Sequence, residues 1–175
     1  MRPSIAYSMV FAASVLASAC GGDGSITPAS PASASLARGQ AGKALPFRGT
    51  VTTADQGVVV PPNLLVSGTA EGTATHLGRY TATFEAVAPL GGNTATGSYV
   101  FTAANGDRLT ATFVGSAEPG EEGLRFTEVL TIVSGTGRFA GATGTFTMRK
   151  LVVVDPASGS STGVGTMEGE ILLAR

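Results

Sequence analysis

The chain has 175 residues, enough for one domain with its own core, but only 13% of them are charged and the formal net charge is −1. Lysine occurs only at Lys43 and Lys150, so there is no basic cluster of the kind nucleic acid requires. A single cysteine, Cys20, excludes intrachain disulfides and cysteine-based metal sites, and a single histidine, His76, leaves no second imidazole for a metal.

Residues 1–19 read as a secretory segment. Arg2 supplies a positive charge, and residues 5–19 form an apolar and small-residue run too short to span a bilayer comfortably. The run ends in L16-A-S-A-C20, followed by Gly21 and Gly22. Small residues before a lone cysteine resemble the lipobox of bacterial lipoproteins, although Ala17 stands where that motif usually has leucine. The resemblance implies cleavage before Cys20, lipid on its sulfur and acylation of the new amino group, which together give stable anchoring. No aspartate directly follows Cys20, which by the same resemblance favours the outer membrane over retention at the inner one. The alternative for Cys20 is an ordinary thiol near a cleavage site. Residues 20–43 are Gly, Ser, Ala and Pro with almost nothing to bury, the composition of a disordered tether.

From residue 44 onward short alternating runs replace that composition. Phe47, Gly49 and Val51 alternate with Arg48, Thr50 and Thr52, and Pro61-Pro62 halts the run that ends in Val58-Val59-Val60. Residues 64–75 form the next candidate strand. Over residues 76–88, Tyr80, Ala82, Phe84 and Ala86 share one face while Arg79, Thr81, Thr83 and Glu85 share the other, a half-buried strand of period two. Residues 94–103 and 108–116 flank Asn105-Gly106, a dipeptide that predicts a tight hairpin of type I′. Residues 124–133, 143–155 and 162–173 complete about eight strands, with no 3.6-residue apolar period anywhere among them. The pattern predicts an all-β, antiparallel domain over residues 44–175. An eight-stranded β-barrel is favoured because closure removes exposed edges, and a β-sandwich is the alternative.

Gly135, Gly137 and Gly141 come one residue short of a dinucleotide fingerprint, but that motif needs a helix after it. The following T143-G-T-F-T-M-R-K-L-V-V-V154 is strand-like, so the glycines mark a turn and a bending strand rather than a phosphate cradle. The segment G135-T-G-R-F-A-G-A-T-G144 also resembles the Gly-Thr-Gly-x-Phe-x-Gly-Ala-x-Gly motif of dirigent proteins and allene oxide cyclase-like barrels. G68-T-A-E-G-T-A-T-H-L-G-R79 and N105-G-D107 are weaker matches. The resemblance implies an eight-stranded antiparallel barrel in which the motif joins two late strands. No catalytic residue of those families is carried over onto this chain.

Two residues stand out as weak catalytic candidates. Glu128 shares its face with Phe126, Leu130 and Ile132, so it lies inside the barrel if that face does, and at the rim if Val129 and Val133 point inward instead. His76 sits beside Gly78 where a strand starts or bends, and its simplest role is structural. Arg138 is expected to hold neighbouring carbonyls or a local carboxylate, and Asp107 to close the Asn-Gly turn. No constellation for nucleophilic catalysis, cofactor or metal is legible. The leading expectation is a lipid-anchored cell-envelope protein whose barrel is a non-enzymatic structural or small-hydrophobic-ligand-binding module. The alternative is a cyclase-like or dirigent-like barrel acting on a small hydrophobic substrate, which requires a hollow interior. Ligand identity and oligomeric state are left open.

Overall fold

A computed structural model describes residues 43–174. The secretory segment, Cys20 and nearly all of the tether therefore lie outside the described residues. Eight strands follow one another along the chain: β1 (Leu45–Val60), β2 (Asn63–Ala74), β3 (Gly78–Pro89), β4 (Thr94–Ala103), β5 (Arg108–Gly120), β6 (Gly123–Gly135), β7 (Thr143–Asp155) and β8 (Ser160–Leu172). Each pairs antiparallel with its neighbours in sequence, and β8 returns to β1, closing the barrel. The barrel expected from the hairpin pattern is thus the fold, and the sandwich is not.

Alternation decides which side chains fill it. Phe47, Val51, Tyr80, Phe84, Tyr99, Phe101, Phe113, Leu130, Phe146 and Met148 are buried inside. The intervening Thr, Glu and Arg residues coat the wall. Aromatic rings stack through the interior: Phe84 on Tyr99 at 4.9 Å, Tyr99 on Phe101 at 5.5 Å, and Phe47 against Phe146 at 4.7 Å between centroids. Phe47, Tyr80, Phe84, Phe101 and Phe113 are buried in the core and Phe126 is half-buried, so the interior is packed with rings rather than hollow along most of its length.

The Asn105-Gly106 hairpin exists, but not as the two-residue type I′ turn. Of the two residues only Gly106 takes a positive φ, +87°. Gly106 N–H donates to the Ala103 carbonyl and Ala103 N–H to the Asp107 carbonyl, so the loop is a tight turn followed by a left-handed glycine. Asn105 explains the difference. Its side-chain oxygen accepts from Asp107 N–H and its amide donates to the Asp107 carboxylate, a local bonding pattern that a left-handed Asn105 is not needed for. His76, expected at the start of a strand, instead lies in the β2–β3 turn with φ +69°. Opposite Ala111, β6 carries an extra residue, Val133, which shifts the register between Thr110 and Ala111.

Candidate functional site

The two ends of the barrel are built differently. At one end lie the β2–β3, β4–β5 and β6–β7 connections. There the motif stretch, quoted above for its glycines, turns through a short 3-10 helix at Gly137–Phe139 and drives Phe139 into the core, where it is fully buried beside Leu77 and Ala142. Two partners clamp this plug. Asp107 accepts from the Arg138 backbone N–H at 3.3 Å and faces its Nε at 3.7 Å, and Arg138 Nη2 donates to the Leu77 carbonyl at 3.3 Å. Hydrogen bonds from the Asn105 amide and then from Arg138 N–H hold the Asp107 carboxyl below its ordinary range. Asp107 thus does more than close its own turn: it ties the β4–β5 turn to the motif. Gly137 makes this contact feasible. It has φ +56°, and a β-carbon there would strike the Asp107 carboxylate.

The opposite end carries the β1–β2, β3–β4, β5–β6 and β7–β8 hairpins and has no plug. Inward-facing Val66, Ala86, Ala95, Ala117 and Phe126 are only half-buried there, so this end, the mouth of the barrel, is partly exposed to solvent. Below it sits a polar cluster. Glu128 projects inward from β6 with 4% of its surface exposed, and Lys150 from β7 with 7%. Lys150 Nζ lies 2.8 Å from Glu128 Oε1 and donates to the Tyr99 hydroxyl at 2.9 Å, while that hydroxyl donates to Glu128 Oε2 at 3.2 Å. The three groups form a closed ring of hydrogen bonds. The ammonium also lies over the faces of Phe84, Tyr99 and Phe126 at 5.5, 5.6 and 5.8 Å. Gly115, opposite Glu128 in the register, leaves the room this carboxylate occupies: a β-carbon there would come within 2.8 Å of Glu128 Cγ. Burial, then the negative charge of Glu128, pushes the Tyr99 hydroxyl far above its ordinary value, so it stays protonated.

Across the mouth, β1 and β8 add three more polar side chains. Ser161 Oγ donates to Asp55 Oδ1. Thr53 is buried, and its hydroxyl has no hydrogen-bond partner among the described residues.

The inward branch of the Glu128 expectation therefore describes the structure, and Val129 and Val133 are exposed on the outer wall. His76 and Glu128 are not brought together, since His76 belongs to the plugged end. Arg138 holds a carbonyl and a carboxylate, but those of Leu77 and Asp107, distant in sequence, rather than the neighbouring carbonyls or local carboxylate expected. Sequence reasoning missed Lys150. The alternation Phe146, Met148, Lys150, Val152 points it inward, but the polar neighbour Arg149 disguises that parity. Chemically, the cluster offers a carboxylate, an ammonium and a phenol joined by hydrogen bonds and largely shielded from water. No group of three or more His, Cys, Asp or Glu residues suited to a metal occurs among the described residues.

No family model matches the chain, and no curated protein matches it. A solved structure, that of the pterocarpan synthase dirigent protein GePTS1, is similar with a TM-score of 0.47 and 13% sequence identity, over 75% of this chain and 93% of that one. The class of the protein is defined by its own strand order, a closed, eight-stranded, antiparallel up-and-down β-barrel.

Proposed function

We propose that this protein is a lipid-anchored component of the cell envelope, held at the outer membrane through Cys20, whose barrel is a non-enzymatic module that receives a small hydrophobic molecule at its open end. The observation that carries the reading is the contrast between the inward faces of the two ends. The aromatic interior of the plugged half leaves no room for a substrate, whereas the half-buried Val66, Ala86, Ala95, Ala117 and Phe126 offer an apolar seat of limited depth. Glu128 and Lys150 neutralise each other in the floor, and Asp55 on the wall is held by Ser161 and would repel an anionic guest. That favours an uncharged guest, since a charged one would have to break a buried ion pair. Anchoring is supported by the L16-A-S-A-C20 motif and by the absence of any other cysteine.

Titration with a neutral naphthylamine probe tests the seat. Saturable binding is expected, and Ala117→Phe, which fills the mouth, should abolish it. Binding that Ala117→Phe leaves unchanged refutes the site. Mass spectrometry of the mature N-terminus tests the anchor, with an unmodified Cys20 as the refuting result. A second reading, a barrel enzyme on a small hydrophobic substrate, draws on one observation only, the hydrogen-bonded Glu128, Lys150 and Tyr99 below the mouth. Turnover of a defined substrate that Glu128→Gln abolishes would replace the first reading with the second.

A further inference from the structure

The hairpin tips of the open end are unusual for an exposed surface. Residues 57–66, around the β1–β2 turn, and residues 86–96, around the β3–β4 turn, contain no charged side chain. Val58, Val59, Val60, Leu65, Val87 and Leu90 all stand exposed on these two tips. The tips act as one body: Asn63 pairs with Pro89, and Leu90 N–H donates to the Pro62 carbonyl at 2.9 Å. Val153 and Val154 on β7 are also exposed, but β8 separates them from β1 and Asp155 follows them directly. The acidic residues at the other two hairpins of this end are Glu118, Glu121 and Glu122 on β5–β6 and Asp155 at the β7–β8 turn. A contiguous apolar rim of this kind marks an interaction surface rather than chance exposure of single valines.

We infer that this rim docks on a lipid bilayer, with the β1–β2 and β3–β4 tips set into the headgroup region and the mouth of the barrel turned toward the leaflet. Three features favour lipid over a protein partner. The tips are convex hairpin ends rather than a groove or a flat face. They carry no charge to specify a partner. The acidic β5–β6 and β7–β8 hairpins would keep their side of this end in water, which leaves the uncharged β1–β2 and β3–β4 tips to face the leaflet. The anchored reading supplies the local concentration for this docking, not the contact itself. Its geometry is also sufficient. A 12- or 13-residue strand at ~3.3 Å per residue and a tilt of ~40° makes the barrel about 30 Å long. The chain between positions 20 and 43 can extend up to about 80 Å at ~3.3–3.6 Å per residue. It can therefore bring the open end to the leaflet although β1 begins at the plugged end. A hydrophobic guest would then pass between bilayer and barrel without crossing water.

The chain has no tryptophan, so one can be introduced as a lone reporter. Leu90→Trp in the full chain, mixed with phosphatidylcholine vesicles, is expected to show blue-shifted emission. Brominated phosphatidylcholine should quench it roughly fivefold or more strongly than it quenches Val133→Trp, an exposed position on the outer wall near the plugged end. Adding Val59→Asp to Leu90→Trp should return the emission to that of a water-exposed indole. Leu90→Trp emission that is neither shifted nor quenched overturns the inference. So does a shift that brominated lipid does not quench, which is the signature of contact with a second copy of the chain. Vesicle docking and the mass of the mature N-terminus are read separately, so loss of the anchor and loss of the rim contact are told apart.

Discussion

The plugged end and the open end are made from the same hairpins and the same inward alternation, yet they spend their polar residues in opposite ways. At the plugged end, Asp107 and Arg138 lie outside the core and lock a buried phenylalanine in place. At the open end, Glu128 and Lys150 are inside the barrel and the apolar valines are outside. One arrangement stabilises closure with exposed charge, which is individually weak. The other retains a buried ion pair whose loss on one side only is costly. The difference teaches that the buried pair is not required for stability as such, since apolar side chains of similar volume often serve it equally well.

The strongest way to break this comparison is to unpair the cluster. Lys150→Met leaves Glu128 buried without its cation and should lose about 3–5 kcal/mol of stability in urea unfolding. The triple variant Glu128→Leu, Lys150→Met, Tyr99→Phe should regain most of that loss, because no polar group is then orphaned. A triple variant as unstable as the single one would show that the cluster is needed to fold. Phe139→Ala should be nearly as damaging, about 3–5 kcal/mol, because it empties the plug. Phe126→Ala, half-buried at the mouth, should cost clearly less in the same measurement. Gly137→Ala should cost roughly 1–3 kcal/mol through its left-handed backbone and the collision with Asp107.

The smallest effect expected is on pH dependence. Tyr99 is held protonated chiefly by burial, and burial also raises Tyr80. Both are raised in the folded state, so above the ordinary tyrosine value of 10.0 the unfolded chain loses these protons while the folded chain keeps them. Stability should therefore be level below that value and fall as pH rises beyond it, and Tyr99→Phe should flatten the fall in alkaline thermal melts. Asp107 works in the opposite sense. Its carboxyl is depressed, so its contribution is present above the ordinary value of 3.8 and fades as pH drops below it.

Much of this was legible before any coordinates. Period-two alternation located the strands to within a few residues, and the glycine-rich motif was correctly read as a turn because no helix follows it. Glu128 was visible because three apolar residues share its parity. What escaped reading were contacts between distant positions. Arg138 meets Asp107 across 31 residues and Lys150 meets Tyr99 across 51, and no local pattern announces either pairing. Phe139 was visible as a motif residue, but its burial as a plug depends on the β2–β3 turn supplying Leu77 on the other side. The type of the Asn105-Gly106 turn was misjudged for a local reason, the bonding of Asn105 to Asp107.

The seam between β1 and β8 has a consequence for how the barrel comes into being. It pairs Leu45 with Ile171, near the two extremes of the described chain. Until the final strand arrives, β1 presents an open row of amide and carbonyl groups along one side, the kind of edge that recruits other chains. A chain synthesised from its N-terminus therefore completes this barrel only when β8 becomes available, and during that interval it depends on its surroundings to keep that edge unoccupied.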